Sequence, residues 1–185
     1  MYFPILLPNP IVMKKVIFIC ILSFLAVTSC KKLSQLFTFE ISNSENIKIP
    51  ASGLVSVPII SPVPVTVHSQ ESFENNNTNA NLVKDVSLKS LTLTIIDPAS
   101  ENFNFLKSIK IYIGTSQEDK VALASLENVP MGASTIELIS NNSKLDKYIK
   151  GSSYTLYTEV TLRSNVATEL TVRADSKFKV TADPL

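Results

Sequence analysis

The sequence predicts an all-β protein with the architecture of an antiparallel immunoglobulin-like β-sandwich of about eight strands. After the first thirty or so residues, threonine, valine, isoleucine, leucine and serine dominate, and apolar and polar residues alternate in short stretches typical of strands. Turn residues separate these stretches, and the spacing leaves no room for the helices of βαβ units. A closed barrel is the alternative, because a strand count does not separate the two architectures.

The first predicted strand is LFTFEI, residues 36–41. A proline-rich segment follows at 50–68, and proline cannot donate a hydrogen bond to a sheet ladder. We therefore expect residues 55–60 and 63–68 to form an edge strand or an extended cover over the core. The alternative is a semi-rigid linker, but valine, isoleucine and leucine alternate with the prolines, which favours packing. The asparagine-rich stretch 69–81 is expected to be a loop or one short helix.

The strand signal at 83–96 contains a change of phase. Strict alternation would place the apolar residues before Lys89 on one face and those after Ser90 on the other. One extra residue at Lys89-Ser90 would return all of them to the buried face, which is the effect of a β-bulge. The residues concerned are Val86, Leu88, Leu91, Leu93 and Ile95. We predict a bulge there, followed by a turn at Asp97-Pro98.

The second half of the chain continues the strand pattern. Residues 143–151 carry the start and stop signals of a helical turn or two. The last two strands are predicted to form a hairpin connected through 163–166. The strands expected in this half are 109–113, 120–126, 135–139, 154–162 and 170–180.

The N-terminal region has the three parts of a secretory signal peptide. Lys14 and Lys15 precede an uncharged apolar run at 16–27, and the small residues Thr28 and Ser29 follow it. The run is shorter than the roughly 20 residues that a membrane-spanning helix needs. Residues 1–12 contain three prolines and fit no part of this pattern, so we expect translation to start at Met13.

Val27-Thr28-Ser29-Cys30 resembles the lipobox of bacterial lipoproteins. The resemblance implies that Cys30 receives a diacylglycerol, becomes the first residue of the mature chain and is acylated, for example with palmitate. Two or three acyl chains anchor a protein stably, whereas one binds only marginally. The expected organisation is a signal peptide at 13–29, a lipidated tether at 30–35 and one β-sandwich domain at 36–185.

The stretch from Leu88 to Ile113, with LDKYIKG and ADSKFKVTADPL further on, resembles small lipoproteins of Bacteroidota. The resemblance implies no activity. Surface-exported lipoproteins of that group tend to have acidic residues after the lipidated cysteine, and Lys31-Lys32 departs from this pattern. We therefore expect an outer-membrane anchor with the domain facing the periplasm.

Charge and motifs exclude several function classes. Of the 17 basic residues, Lys14 and Lys15 lie in the leader, which leaves 15 against 16 acidic residues. Such a balance provides no basic field for nucleic acid. His68 is the sole histidine, and no motif for nucleophilic catalysis, zinc, calcium or phosphate binding occurs. We expect no enzyme activity, no cofactor and no metal.

Tyr112 and Tyr157 lie opposite the apolar stripes of their strands and are candidate surface contacts. Ordinary sheet surface is the alternative explanation for both. The function expected from the sequence is that of a non-catalytic binding or assembly protein with an envelope protein or glycan as partner. A carrier of an apolar small molecule is the alternative, and a hydrolase using scattered carboxylates ranks below it.

Overall fold

The computed structural model describes residues 38–51 and 59–183, which form one all-β domain. Two short helices, α1 (Ser69–Asn75) and α2 (Asp146–Ile149), and two 3-10 turns, Ala80–Leu82 and Phe103–Phe105, interrupt the strands. None of the helices in the described ranges is long and apolar enough to cross a membrane. The strands are β1 (Thr38–Ile49), β2 (Ile59–Thr66), β3 (Val83–Asp97), β4 (Leu106–Gly114), β5 (Val121–Leu126), β6 (Thr135–Ser140), β7 (Ser153–Leu162) and β8 (Leu170–Ala182).

The eight strands are all antiparallel and follow the order β1-β8-β3-β6-β5-β4-β7-β2. We call β1, β8, β3 and β6 sheet I, and β5, β4, β7 and β2 sheet II. Only two residue pairs connect β6 with β5, so the two sheets are joined at one side into a nearly closed, barrel-like arrangement. The predicted all-β antiparallel fold of eight strands is confirmed.

The strand pairing is nested, because β1 pairs with β8, β2 with β7, β3 with β6 and β4 with β5. This connectivity is that of a jelly roll, an eight-stranded double-sheet fold. In the immunoglobulin connectivity, by contrast, the first strand pairs with the second. The chain therefore builds its sandwich by folding a long double ribbon rather than by stacking successive hairpins.

The expectation of a terminal hairpin was wrong. β7 pairs with β4 and β2 in sheet II, whereas β8 pairs with β1 and β3 in sheet I. The segment between Leu162 and Leu170 thus crosses from one sheet to the other. Alternation shows which face of a strand is buried, but it does not show which strand lies beside it.

The predicted bulge in β3 is confirmed. Leu88 lies opposite Phe178 of β8 and Ser90 lies opposite Lys177, so Lys89 is the extra residue. The register shift keeps the apolar side chains on both sides of the bulge in the core. Val86, Leu88, Leu91, Leu93 and Ile95 are all buried.

The strand from the proline-rich segment lies at the edge of sheet II, as expected for a strand with Pro62 and Pro64. Residues 52–58 lie outside the described residues, so the packing of that part of the segment stays a prediction. At the other end of the strand order, β1 extends eight residues beyond the predicted strand end at Ile41. The central residues of β1 are polar and lie on an edge strand, so the alternation of apolar and polar residues that would predict a strand is weak there.

The two helices pack at the end of the domain where β1 begins. Phe73 of α1 contacts Phe39 of β1, with the ring centroids 6.1 Å apart. The Ser69 hydroxyl donates a buried hydrogen bond of 2.6 Å to the carbonyl of Ile149 in α2. The helices therefore close this end, and the opposite end of the sandwich is left to loops and to the 3-10 turn Phe103–Phe105.

Candidate ligand-binding cavity

An apolar cavity of about 320 Å³ lies between the two sheets, at the end where β1 finishes. Sheet I contributes residues of β1, β3 and β8, and sheet II contributes residues of β2, β4 and β7. The lining consists of Ile47, Lys48, Ile49, Pro50, Pro62, Leu93, Phe103, Phe105, Leu106, Ile109, Ile111, Thr158, Val160, Leu162, Val166 and Val172. A concave site lined mainly by apolar side chains, with few polar groups, is the usual form of a small-molecule site.

The cavity arises from a change in side-chain size along the core. At the closed end, Tyr154 of β7 packs edge to face on Phe178 of β8, with the ring centroids 6.3 Å apart. Further along β7, the inward positions are Thr158 and Val160, which are smaller and only half-buried. Small β-branched side chains do not fill the space that the aromatic pair fills, so the sheets enclose a void there.

Phe103 and Phe105 form the apolar wall at the end of the cavity. Their 3-10 turn is fixed by the Asn102 side chain, which accepts a hydrogen bond of 3.1 Å from the backbone N–H of Asn104. The two rings are 6.1 Å apart and both are buried. The wall is therefore held by local backbone bonds as well as by packing.

The cavity reaches the surface along the seam between β1 and β2. These are the two edge strands of the sheet order and are not hydrogen-bonded to each other, yet both line the cavity. Pro50 and Pro62 are exposed and mark the two sides of the seam. Among the described lining residues, Thr158 carries a hydroxyl group, and Lys48, which alternates along β1 with the inward Ile47 and Ile49, has an exposed side chain.

A second, polar depression of about 430 Å³ lies over β1, β8 and β3. Its one carboxylate, Asp175, already accepts hydrogen bonds from the Ser44 hydroxyl (2.7 Å) and from Arg173 Nε (2.9 Å). The Ser44 bond holds the pKa of Asp175 below its usual value, with a smaller contribution from Arg173. The carboxylate of this depression is thus already paired with Ser44 and Arg173.

The two tyrosines proposed as surface contacts lie directly opposite each other on β4 and β7. Tyr157 is buried, with 6% of its surface exposed, and Tyr112 is half-buried. Lys120 Nζ lies 5.0 Å from the ring centroid of Tyr112 and 5.6 Å from that of Tyr157, which covers both rings. Burial and a hydrogen bond from the Tyr112 hydroxyl to Glu159 (3.1 Å) raise the pKa of Tyr112. The expected exposure of Tyr157 is therefore corrected, whereas a surface contact at Tyr112 stays a prediction.

Cys30 and the residues before it that resemble a lipobox lie outside the described residues. His68 is exposed at the start of α1, where its carbonyl accepts a backbone hydrogen bond from Ser72. No group of three or more histidine, cysteine, aspartate or glutamate residues within 38–51 and 59–183 could hold a metal ion.

No protein-family model matches the chain, and no curated protein matches it. Among solved structures, one of Desmodium yellow mottle tymovirus is 12% identical, with a TM-score of 0.29, and the match covers 100% of this chain and 95% of that one. One of turnip yellow mosaic virus is 11% identical (TM-score 0.28; 80% and 95% covered). A decameric capsid protein of BFDV is 8% identical (TM-score 0.31; 78% and 98% covered). We draw no functional conclusion from likeness at this level.

Proposed function

We propose that this protein is a lipid-anchored, non-catalytic β-sandwich protein of the bacterial cell envelope that binds an apolar small molecule between its sheets. The observation that carries the proposal is the apolar cavity at the seam between β1 and β2. Sequence reasoning ranked a carrier below a partner-binding protein, because the strand pattern shows which residues are inward but not whether they fill the space between the sheets.

The size of the cavity suits a small organic ligand. An apolar cavity of about 150 Å³ in a protein core stays dry and binds benzene, and natural ligand pockets begin near 300 Å³. At about 320 Å³ the cavity lies at the lower end of that range. Transfer of apolar surface from water into such a site is favourable by roughly 25 cal/mol per Å².

The test is to titrate the full mature protein with a fluorescent apolar probe and to compare two variants of β7. In Val160→Phe the added ring projects into the cavity, whereas in Thr161→Phe the same ring projects from the exposed face of the strand. We expect wild type and Thr161→Phe to bind the probe and Val160→Phe to lose binding. Equal binding by all three folded proteins would show that the probe lies elsewhere and would contradict the proposal.

The anchor rests on the resemblance of residues 27–30 to a lipobox and is tested separately. We expect Cys30→Ala to abolish labelling by palmitate and to move the protein from the membrane fraction to the soluble fraction. Unchanged labelling would refute lipidation at Cys30. An envelope protein or glycan partner stays a prediction, which crosslinking of wild type and Cys30→Ala in intact cells would test.

A further inference from the structure

We propose that the free edge of β1 is a dimer interface, at which a second copy of this chain adds its own β1 in antiparallel orientation about a two-fold axis at Ser44. This inference goes beyond the proposed function and does not depend on a bound ligand. It is carried by the difference between the two edge strands and by the order of the side chains along β1.

The two edge strands differ in how well they can accept a further strand. β2 carries Pro62 and Pro64, which have no N–H group to donate. β1 has no proline between Thr38 and Ile49 and runs beside β8 without a register shift. Among the described strands β8 is the neighbour of β1, so from residue 39 onward alternate N–H and C=O groups of β1 point away from the sheet. A long, regular edge of this kind is a template for pairing with another chain.

The side chains of β1 fall into two alternating sets. The exposed set lies on the outer face of sheet I and consists of Glu40, Ser42, Ser44, Asn46 and Lys48. The inward set is buried or half-buried and consists of Phe39, Ile41, Asn43, Glu45, Ile47 and Ile49. The exposed set begins with an acid and ends with a base, whereas the inward set is apolar at both ends and polar in the middle. Each set therefore complements itself when the strand is reversed.

A two-fold axis at Ser44 brings these complementary residues together. Directly opposite residues of an antiparallel pair lie on the same face of the sheet. Glu40 then lies opposite Lys48 of the second copy, and the symmetry forms this ion pair twice. On the inward face, Ile41 lies opposite Ile47 of the second copy. Both faces of the new strand pair thus have matched side chains.

Glu45 selects this register against its neighbours. With the axis at Ser44, Glu45 lies opposite Asn43 of the second copy. The Asn43 amide donates one hydrogen bond of 3.2 Å to the Tyr154 hydroxyl, which leaves its second N–H for the carboxylate. An axis at Glu45 would place two carboxylates opposite each other, and an axis at Asn43 would place Glu45 opposite Ile41. Both arrangements are unfavourable, because one opposes like charges and the other covers a charge with an apolar side chain.

The present partners of the two charged residues do not prevent the new pairing. Glu40 forms an ion pair with Lys89, and Lys48 Nζ lies 3.9 Å from Glu169 Oε1. All four side chains are substantially exposed. Ion pairs of this kind contribute little to stability, so Glu40 and Lys48 can contact a second copy at low cost.

The first experiment is disulfide crosslinking of the mature chain, residues 30–185, with Cys30→Ala. The two cysteines of the sequence are Cys20 and Cys30, so this chain contains no other thiol. Ser44→Cys places two thiols opposite each other at the axis, where the Cα atoms of paired residues are about 4.5–5.5 Å apart, a distance that a disulfide spans. We expect mild oxidation to give a covalent dimer.

Ser42→Cys is the matched control, since Ser42 is exposed on the same face of β1. In the proposed register it lies opposite Asn46, four residues from its own copy, or roughly 13 Å along the strand. It should therefore give no covalent dimer. Equal crosslinking of the two cysteine variants would refute the register.

The second experiment measures the dimer dissociation constant of the same chain by sedimentation equilibrium. Glu40→Lys and Lys48→Glu should each raise it about tenfold, because each replaces attraction by repulsion at two symmetry-related pairs. The double variant Glu40→Lys/Lys48→Glu should return close to wild type. Glu137→Lys makes the same charge change at an exposed position of β6 and should have no effect.

Two outcomes overturn the proposal. A chain that stays monomeric at every concentration, with Ser44→Cys uncrosslinked, would refute the dimer. A double variant as weak as the single variants would refute the pairing of Glu40 with Lys48. Binding of the apolar probe by the same preparation tests the proposed function separately, since the cavity lies within one copy of the chain.

Discussion

Asp119 holds together the turn between β4 and β5 and connects it to α2. Its carboxylate accepts hydrogen bonds from the backbone N–H groups of Thr115 (2.7 Å) and Ser116 (2.8 Å), and from the Thr115 hydroxyl (2.6 Å). Lys147 Nζ donates a further bond of 2.6 Å from α2. The Tyr148 hydroxyl donates a hydrogen bond of 2.6 Å to the backbone carbonyl of Asp119. Asp119 therefore links the turn between β4 and β5 to α2.

The stability contributed by Asp119 should depend on pH. The bond from Lys147, followed by that from the Thr115 hydroxyl, holds the pKa of Asp119 well below its usual range. A carboxyl group whose pKa is lowered on folding stabilises the protein above its unfolded pKa of about 3.9 and loses this contribution as the pH falls further. We expect Asp119→Asn to lower Tm at pH 7 and the difference from wild type to shrink below about pH 4.

Thermal unfolding followed by circular dichroism between pH 7 and pH 2 measures this difference. Glu127→Gln, which changes an exposed carboxyl group after β5, is the control and should leave Tm close to wild type throughout. A Tm difference for Asp119→Asn that stays constant down to pH 2 would contradict the assignment.

Gly114, at the end of β4, is required because there is no room for a Cβ atom, and its φ angle is not the reason. A Cβ at this position would lie 2.7 Å from the carbonyl oxygen of Ser116 and 3.0 Å from the Cα of Lys120, both of them backbone atoms. At Gly151 the nearest atom would be 3.5 Å away, an ordinary contact distance. We expect Gly114→Ala to reduce the free energy of unfolding by about 1–3 kcal/mol and Gly151→Ala to change it far less. Urea denaturation of both variants checks this, and equal effects would refute it.

At the scale of elements, the sequence predicts well which face of a strand is buried, but it predicts poorly which strands pair with each other. The phase change at Lys89-Ser90 located the bulge in β3, because burial of Val86 and of Leu91 requires it. The prediction that the last two strands form a hairpin was wrong, because β7 and β8 each have an inward face that would be buried equally well in either sheet. β1 was predicted too short because its exposed edge carries polar residues such as Ser42 and Ser44.

Deletion of Lys89 tests the bulge as an element. Without the extra residue, an unbroken ladder with β8 would turn one half of the apolar residues of β3 toward solvent. We expect a loss of several kcal/mol, in line with the roughly 1.5–3 kcal/mol that full burial of one valine or leucine side chain contributes. Lys89→Ala keeps the backbone and should cost far less, although it removes the exposed ion pair with Glu40. Similar urea midpoints for the two variants would contradict this account of the bulge.

At the scale of the whole molecule, the cavity that a carrier requires is the part that the sequence could not locate. Its lining comes from strands that are distant in the chain, such as Ile47 in β1 and Leu162 in β7, and no local pattern brings these together. The available signal was the decline in side-chain size along β7, from Tyr154 to Val160. This signal can be interpreted only once it is known that Phe178 of sheet I packs against Tyr154 of sheet II, and that contact depends on the topology.

The nested pairing makes β8 essential to sheet I, because it is the strand that connects β1 to the rest of that sheet. β8 lies between β1 and β3, and both of these pair with it along most of its length. We expect a chain that ends after Val166 to lack cooperative unfolding in urea, because β1 then has no hydrogen-bonded neighbour. A cooperative transition in the truncated chain would show that sheet II folds alone.

The same pairing has a consequence for the synthesis of the chain. Thr38 lies beside Thr181, 143 residues later, so the first strand has no partner until nearly the whole chain has been made. Contacts at such separation form slowly, since the loop must close before they contribute. A chain of this kind therefore emerges from the ribosome without a finished domain. The topology thus delays completion of the domain until the last strand, at the C-terminus, has been made.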